Sequence, residues 1–263
     1  MRVQDINIKQ FSTMQELLCL IQDNIGVSNY YDLHKRRKID SESNTDIYIK
    51  FSKTNSIQDA IMLAKNGCAD IIQKIDSNIR DYQRIDNYNQ KTKRYYNDTK
   101  GFIPNVPLYL NNIPNCMINQ RVEYRRNTSK IVNIIVNNSF SYIYSTDDII
   151  KIQSEKIKSI IDMEKDGYKT NLYLFMGVKM QMKNQILDAI GLCVKIKNSN
   201  DYLNLARLSF PLCHPSMLRR IFFKFTEVEV HKKYTTDRYG FVIQSNEDIK
   251  EVLKNKVHID YIM

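Results

Sequence analysis

The sequence predicts an α/β protein in which helices flank a mostly parallel sheet and an N-terminal helical region precedes that sheet. Three observations predict this class. Residues 131–136 form a nearly continuous apolar run, as a fully buried strand requires. Residues 147–166 carry an apolar stripe at helical spacing, and a second apolar strand follows over residues 170–178. A strand, a helix and a strand joined by short connections favour a parallel sheet covered by helices.

The N-terminal helices are indicated by their capping residues. Thr13 begins one helix and Ser56 another, because each is followed three residues later by an acidic residue. Gly26 and Gly67 supply the C-terminal stops of these two helices. Between the helices, residues 47–51 alternate in polarity and predict a short strand.

The remaining elements follow from the same signals of periodicity and capping. Pro215 opens a helix with apolar residues at Leu218, Ile221, Phe222 and Phe225. The other predicted elements are a helix over residues 70–82, strands over residues 187–197 and 257–262, and a helix capped by Ser245.

A basic, tyrosine-rich segment is predicted to divide the chain. Residues 84–100 lack any apolar period and are interpreted as a flexible linker. This linker would separate a mainly helical region, residues 1–83, from an α/β domain, residues 101–263.

Composition restricts the environment of the protein. No run approaches the roughly 18–20 apolar residues that cross a bilayer, and the first residues do not form a signal peptide. The five cysteines form no Cys-x-x-Cys pair, so reduced thiols are expected. We therefore expect a cytoplasmic protein without membrane partners. The formal net charge of +10 favours polyanionic partners.

One cluster of oxygen-bearing side chains follows the first buried strand. Ligands of open parallel sheets bind at the carboxyl ends of strands, and here Asn137, Ser139 and Ser141 alternate with other residues. Von Willebrand factor A domains carry Asp-x-Ser-x-Ser at this place, where the hard oxygens hold Mg²⁺. An amide instead of the carboxylate is expected to leave at most weak Mg²⁺ binding and no other cofactor. The alternative is a ligand-free turn between strand and helix.

The chain resembles an uncharacterised family of bacteriophage and prophage proteins from about residue 50 to 230. The resemblance rests on Gly101-Phe102, on residues 107–110 and 114–117, on the Asn137-x-Ser139-x-Ser141 segment, and on residues 214–220. It implies a divergent fold of the von Willebrand A-like type, with a Rossmann-like sheet as the alternative, and a phage or mobile-element origin in a host-cell cytoplasm. It implies no known activity. An AAA+ ATPase encoded by a neighbouring gene would be the candidate partner.

A basic helix start is a second candidate site. His214 precedes the helix opened by Pro215, and Arg219 and Arg220 are expected opposite its apolar stripe. Arginine at such a surface binds a phosphate or a partner's carboxylate. The alternative is a solvated helix face.

The sequence favours binding over catalysis. It contains no Gly-x-Ser-x-Gly, His-Glu-x-x-His or glycine-rich phosphate-binding motif. The leading hypothesis is a non-catalytic binding or scaffold protein that acts through protein contacts. An alternative is nucleic-acid binding by cations and stacking tyrosines. An enzyme whose residues lie far apart in sequence is a third alternative. The nucleic-acid hypothesis uses Lys35, Arg36, Arg37, Lys38, Lys91, Lys93, Arg94, Tyr95 and Tyr96.

Overall fold

The chain forms two compact units, one made of residues 1–82 and 131–263 and the other of residues 83–130. The computed structural model describes residues 3–27, 40–79, 90–125, 130–181, 187–230, 239–254 and 256–263. Within these ranges no helix has both the length and the apolar character needed to cross a membrane.

The strands of both units are numbered along the chain. They are β1 (Val3–Phe11), β2 (Gln90–Asp98), β3 (Ile103–Pro104), β4 (Met117–Arg125), β5 (Ile131–Asn137), β6 (Lys169–Gln181), β7 (Leu187–Lys197), β8 (Phe241–Val242) and β9 (Tyr261–Ile262).

The helices are numbered in the same way. They are α1 (Met14–Asp23), α2 (Asp46–Ser52), α3 (Ile57–Asn66), α4 (Ala69–Asn78), α5 (Val106–Leu110), α6 (Thr146–Lys165), α7 (Leu205–Cys213), α8 (Phe223–Glu229) and α9 (Asn246–Leu253).

The larger unit is built on one mixed sheet. Its strands lie in the order β1, β7, β6, β5 and β9, and β8 pairs with β6 beyond the end of β5. The pairs β1–β7, β5–β6 and β5–β9 are parallel, whereas β6 is antiparallel to β7 and β8. The predicted α/β class, with a mostly parallel sheet flanked by helices, is confirmed.

Both faces of the central strands are buried, which explains their continuous apolar sequences. On one face Ile135, Phe175 and Cys193 pack with Ile249 and Leu253 of α9. Their neighbours in sequence point to the opposite face because side chains alternate along a strand. Those neighbours are buried as well, and they include Ile134, Val136, Leu174, Met176, Leu192 and Val194.

The predicted helix starts are confirmed by the hydrogen bonds of their caps. Thr13 accepts a hydrogen bond from the backbone of Glu16 at the start of α1. Ser56 forms a reciprocal capping box at α3, and Ser145, which was not predicted from the sequence as a cap, forms another at α6. These caps use side chains next to one another in sequence, so they can be read without knowledge of the tertiary fold.

Two N-terminal predictions are wrong. Residues 47–51, expected as a strand, belong to helix α2, whose Tyr48 hydroxyl donates to the carbonyl oxygen of Arg219. That tertiary contact favours the helix over the local alternation of polarity. The region 1–83 is also not a separate helical region, because β1 pairs in parallel with β7 across the sheet of residues 131–263.

The expected linker over residues 84–100 is corrected as well. Residues 90–98 form β2, which pairs along its whole length with β4 in an antiparallel ladder. Thr92, Tyr95 and Tyr96 have a high propensity for strands. Pairing with side chains of β4 stabilises this strand although its sequence has no apolar period. Residues 84–89 lie outside the described residues. The unit boundary at residues 130–131 also differs from the predicted boundary at residue 101.

Candidate functional site

The residues predicted to bind a metal lie where β5 leaves the sheet. The backbone N–H of Asn137 donates to the carbonyl oxygen of Met263 at 2.9 Å. Its side-chain Nδ2 donates to the carbonyl oxygen of Ile243 at 3.1 Å. Its Oδ1 accepts from the backbone N–H of Ser139 at 3.0 Å. Both ends of the Asn137 amide therefore bond to the protein.

Ser139 also bonds to the sheet. Its side chain is buried, and its Oγ accepts a hydrogen bond from the backbone N–H of Gly177 at 2.9 Å. Ser141 lies further along the turn, where its carbonyl oxygen accepts from the N–H of Tyr144 at 3.2 Å. In the described ranges, no group of three or more His, Cys, Asp or Glu residues could hold a metal ion. The hydrogen bonds of Asn137 and Ser139 therefore join the end of β5 to β6 and to the segment after β8.

Two side chains of α6 complete this end of the sheet, and sequence reasoning missed both. Gln153 Nε2 donates to the carbonyl oxygen of Asn137 at 3.2 Å, and Lys156 Nζ donates to the same oxygen at 2.9 Å. Burial lowers the pKa of Lys156 to about 8. Gln153 Oε1 is buried without a hydrogen-bond partner in the described structure. The signal for Gln153 is its position in the apolar stripe between Ile150 and Ile157.

The arginines expected at a binding surface are instead buried. Arg219 is 5% exposed and Arg220 is 0% exposed, so the predicted surface contact with a phosphate or a carboxylate is wrong. All six residues of the π-helical segment Met217–Phe222, which precedes α8, are buried. The predicted apolar stripe is therefore buried as expected, but the opposite side is covered too, by segments that contain Ser41 and Phe51.

The buried guanidinium of Arg220 binds the segment between α2 and α3. Its Nε donates to Thr54 Oγ1 at 2.7 Å and to Ser52 Oγ at 3.1 Å. Its Nη2 donates to the Thr54 carbonyl oxygen at 2.6 Å, and Nη1 donates to that of Ser41 at 3.0 Å. These acceptors are all neutral. Burial lowers the pKa of Arg220 from its ordinary value.

Arg219 and His214 have structural contacts of the same kind. Arg219 donates to the carbonyl oxygens of Phe51 at 2.6 Å and Tyr144 at 3.1 Å, and its guanidinium lies 4.1 Å from the centre of the Phe51 ring. His214 stacks on Phe210, and its Nδ1 accepts from the backbone N–H of Ser216 at 3.1 Å. These residues stabilise the packing of the helix rather than forming an accessible site.

The 83–130 unit has a different character, since it is a small sheet with an exposed apolar surface. β4 lies between β2 and β3, and both neighbours are antiparallel to it. Between β2 and β3 the chain therefore passes from one side of β4 to the other. A Cβ atom at Gly101 would lie 2.2 Å from the carbonyl oxygen of Ile118, so the crossing requires glycine. The N–H of Phe102 then donates to that oxygen at 3.0 Å.

Among the side chains of this unit that the structure describes, eight large hydrophobic or aromatic ones are exposed. Leu110 is 73% exposed and Tyr109 is 66% exposed, both in α5. None of the side chains of this unit that the structure describes is fully buried. We call these eight residues the apolar surface: Tyr95, Tyr96, Phe102, Ile103, Val106, Tyr109, Leu110 and Ile113.

Comparison with protein families assigns the chain. The model of the family described as "Domain of unknown function (DUF7192)" matches residues 10–262. The chain belongs to this family. Neither the search of curated proteins nor the search of solved structures found a match. The matched range of the DUF7192 domain extends across both compact units.

Much of the charge of this DUF7192 chain lies in its smaller unit. Residues 83–130 hold nine Lys or Arg and three Asp or Glu residues, a net charge of +6 within the chain's total of +10. Lys91, Lys93 and Arg94 belong to β2, although only their backbone is described. Residues 35–38, the basic loop of the nucleic-acid hypothesis, lie outside the described residues. The 83–130 unit therefore contains both the apolar surface and some of the basic residues of the nucleic-acid hypothesis.

Proposed function

We propose that the protein is a non-catalytic binding protein whose 83–130 unit binds another protein through its apolar surface. The observation that carries the proposal is the exposure of the eight large side chains of that surface. Many large apolar residues exposed on one small unit are typical of an interaction site, because covering them releases ordered water.

The small size of the unit adds a physical argument. A sheet of a few strands gains stability in water when one of its faces packs against something else. The aliphatic members Ile103, Val106, Leu110 and Ile113 favour a protein partner, because nucleic acids present few aliphatic surfaces. The net charge of +6 favours a partner that carries acidic residues around its apolar contact.

The setting of this function has its own support. The described cysteines carry free thiols, which fits a reducing cytoplasm. The resemblance to phage and prophage proteins supports a mobile-element origin, and an AAA+ ATPase partner would be suggested by a neighbouring gene. Both extensions of the proposal depend on that resemblance.

Site-specific photo-crosslinking tests the proposal in cells of the encoding organism. A benzophenone amino acid replaces Leu110 in one variant and Lys158, which is exposed on α6, in a matched control. We expect one protein to be crosslinked from position 110 and not from position 158. A Tyr109→Ser and Val106→Ser double variant carrying the same crosslinker should lose that product. Equal crosslinking from both positions, or none from position 110 at native abundance, would contradict a specific protein contact.

Nucleic-acid binding is a second candidate, favoured by a specific feature of β2. Tyr95 and Tyr96 are exposed next to the basic residues Lys91, Lys93 and Arg94. Exposed aromatic rings stack on bases, with about 1–3 kcal/mol lost per base on alanine substitution. Fluorescence anisotropy with labelled oligo-dT tests this candidate. Its affinity should fall steeply between about 50 and 200 mM salt.

Two sets of substitutions separate stacking from charge in that assay. A Tyr95→Ala and Tyr96→Ala variant tests stacking, and alanine at Lys35, Arg36, Arg37 and Lys38 tests the basic loop. Affinity that ignores salt would argue against an electrostatic interface. Absence of binding at low salt would remove this candidate.

A further inference from the structure

Strand β2 lies at an edge of the sheet in the 83–130 unit. The strand order is β2, β4, β3, so one side of β2 pairs with β4. On its other side, no strand of the described structure pairs with residues 90–98. A strand edge without a described strand beside it is a template for an added strand.

The ladder identifies which backbone groups point outward. The carbonyl oxygen of Ile118 accepts from Phe102 on the β3 side of β4, so the backbone groups of Ile118 point away from β2. Ile118 lies opposite Asn97. Because the backbone groups of Ile118 point away from β2, these two residues form one of the non-hydrogen-bonded pairs of the antiparallel ladder. The backbone groups of Asn97 therefore point away from β4. Since the pattern repeats every two residues, those of Tyr95, Lys93 and Lys91 point outward too.

The charged residues of β2 indicate which kind of strand could bind beside it. Lys91, Lys93 and Arg94 are all cationic, and Asp98 is the acidic residue of the strand. Two copies of β2 placed side by side would bring like charges together, which disfavours pairing with a second copy. A strand with carboxylates would meet these cations instead, while its backbone completes the ladder.

We propose that β2 accepts an extended, acidic segment of a partner protein as an additional antiparallel or parallel strand. This inference rests on the proposed function, because it names the chemistry by which the protein that covers the apolar surface is recognised. Main-chain hydrogen bonds supply affinity in this mode, and the alternating side chains supply selectivity.

A peptide probe tests the proposal on the full-length protein. The probe is fluorescein-labelled acetyl-Glu-Val-Glu-Val-Glu-Val-Glu-Val-amide, and its binding is measured by fluorescence anisotropy. We expect saturable binding that a Lys-Val peptide of equal length does not show. The acidic peptide N-methylated at every residue should bind at least about tenfold more weakly, because methylation then removes the N–H groups of both edges.

Two substitutions in β2 provide the matched pair on the protein side. Lys93→Pro removes an outward N–H without removing a bond of the β2–β4 ladder, whereas Lys93→Gln removes the charge alone. We expect Lys93→Pro to weaken binding about tenfold more than Lys93→Gln does, at an equal urea midpoint. If Lys93→Pro disturbs the fold, the methylated peptide still decides the question, since it requires no change in the protein.

Three results would overturn the inference. Equal binding of the acidic peptide and its methylated form would exclude strand addition. Equal binding of the acidic and basic peptides would exclude selection by charge. Self-association that Lys93→Pro abolishes would assign the edge to a second copy. None of these affects crosslinking from position 110, so this inference and the proposed function fail separately.

Discussion

The side-chain amide of Asn137 donates a hydrogen bond to the carbonyl oxygen of Ile243, at 3.1 Å, and so joins the end of β5 to the segment that follows β8. A carboxylate has no N–H and could not make this bond. The amide at this position therefore has a structural role of its own. The correspondence of Asn137 with the aspartate of a metal-binding A domain stays a prediction.

The substitution Asn137→Asp should destabilise the protein. It removes the donor to Ile243 and places a negative charge beside the Ile243 carbonyl oxygen, so we expect a loss of about 1–3 kcal/mol in the free energy of unfolding. Urea denaturation measures this loss. Asn200→Asp, the same chemical change at an exposed position, should cost less than about 0.5 kcal/mol. Equal losses for the two variants would contradict a specific role for the Asn137 bond.

Divalent cations should bind weakly at the exit of β5. The oxygens of Asn137 and Ser139 already accept hydrogen bonds from backbone N–H groups, and the described part of the chain holds no cluster of three or more His, Cys, Asp or Glu residues that could bind a metal. We expect calorimetric titration with Mg²⁺ or Mn²⁺ to give no heat of micromolar binding. Micromolar binding that Ser139→Ala abolishes would show that a metal displaces these bonds.

Removing the guanidinium of Arg220 should strongly destabilise the larger unit. Arg220→Ala removes the four hydrogen bonds that the guanidinium donates to buried acceptors of Ser41, Ser52 and Thr54, at an expected cost of about 3 kcal/mol or more. Arg207→Ala on the exposed side of α7 should change stability by less than about 0.5 kcal/mol. Chemical denaturation followed by circular dichroism compares the two. An Arg220→Ala variant as stable as the parent would show that water replaces the lost bonds.

Phe222 should contribute through packing. Its side chain is fully buried and stacks on Phe225 at a ring distance of 6.2 Å, so Phe222→Ala should cost about 3–5 kcal/mol by leaving a cavity. Phe241→Ala provides the control, because Phe241 is 65% exposed. Thermal unfolding should show a much larger decrease in Tm for the first variant. Similar decreases would mean that the core collapses around the missing ring.

His214 should make stability depend on pH. Burial lowers its pKa from 6.5 to about 4, so the unfolded chain takes up the proton first as the pH falls. The stabilisation by neutral His214 is complete above about pH 6.5 and decreases toward pH 4, by up to about 3 kcal/mol. The free energy of unfolding, measured across this range, should fall less steeply in His214→Asn. Parallel pH profiles for the two proteins would contradict the buried, neutral imidazole.

Local signals in the sequence were sufficient for the elements that begin at their own caps or consist of apolar runs. The start of α3 follows from Ser56 and Asp59, which bond to each other's backbones. The strands β5 and β6 follow from their continuous apolar sequences, because both of their faces are covered. In each case the determining residues are close in sequence, so no tertiary information is needed.

The features that sequence reasoning missed depend on distant residues. Helix α2 resembles a strand until the contact of Tyr48 with Arg219 is known. β1 carries few apolar residues, and its pairing with β7 links positions far apart in the chain. Arg219 and Arg220 lie opposite the apolar stripe on a helical projection, and their burial depends on Phe51 and Ser41, which are distant in sequence. The pairing of β2 with β4 likewise depends on residues beyond Gly101.

The parallel pairing of β1 with β7 has a consequence for how the chain folds on the ribosome. Val3 lies opposite Leu187, so the first strand cannot join its sheet until the ribosome has made nearly two hundred residues. At about 5–20 residues per second, this interval lasts about 10 to 40 s. Throughout that time the buried positions of β1 and α1 lack their final neighbours. Nascent chains should therefore interact with trigger factor or other chaperones until synthesis passes β7.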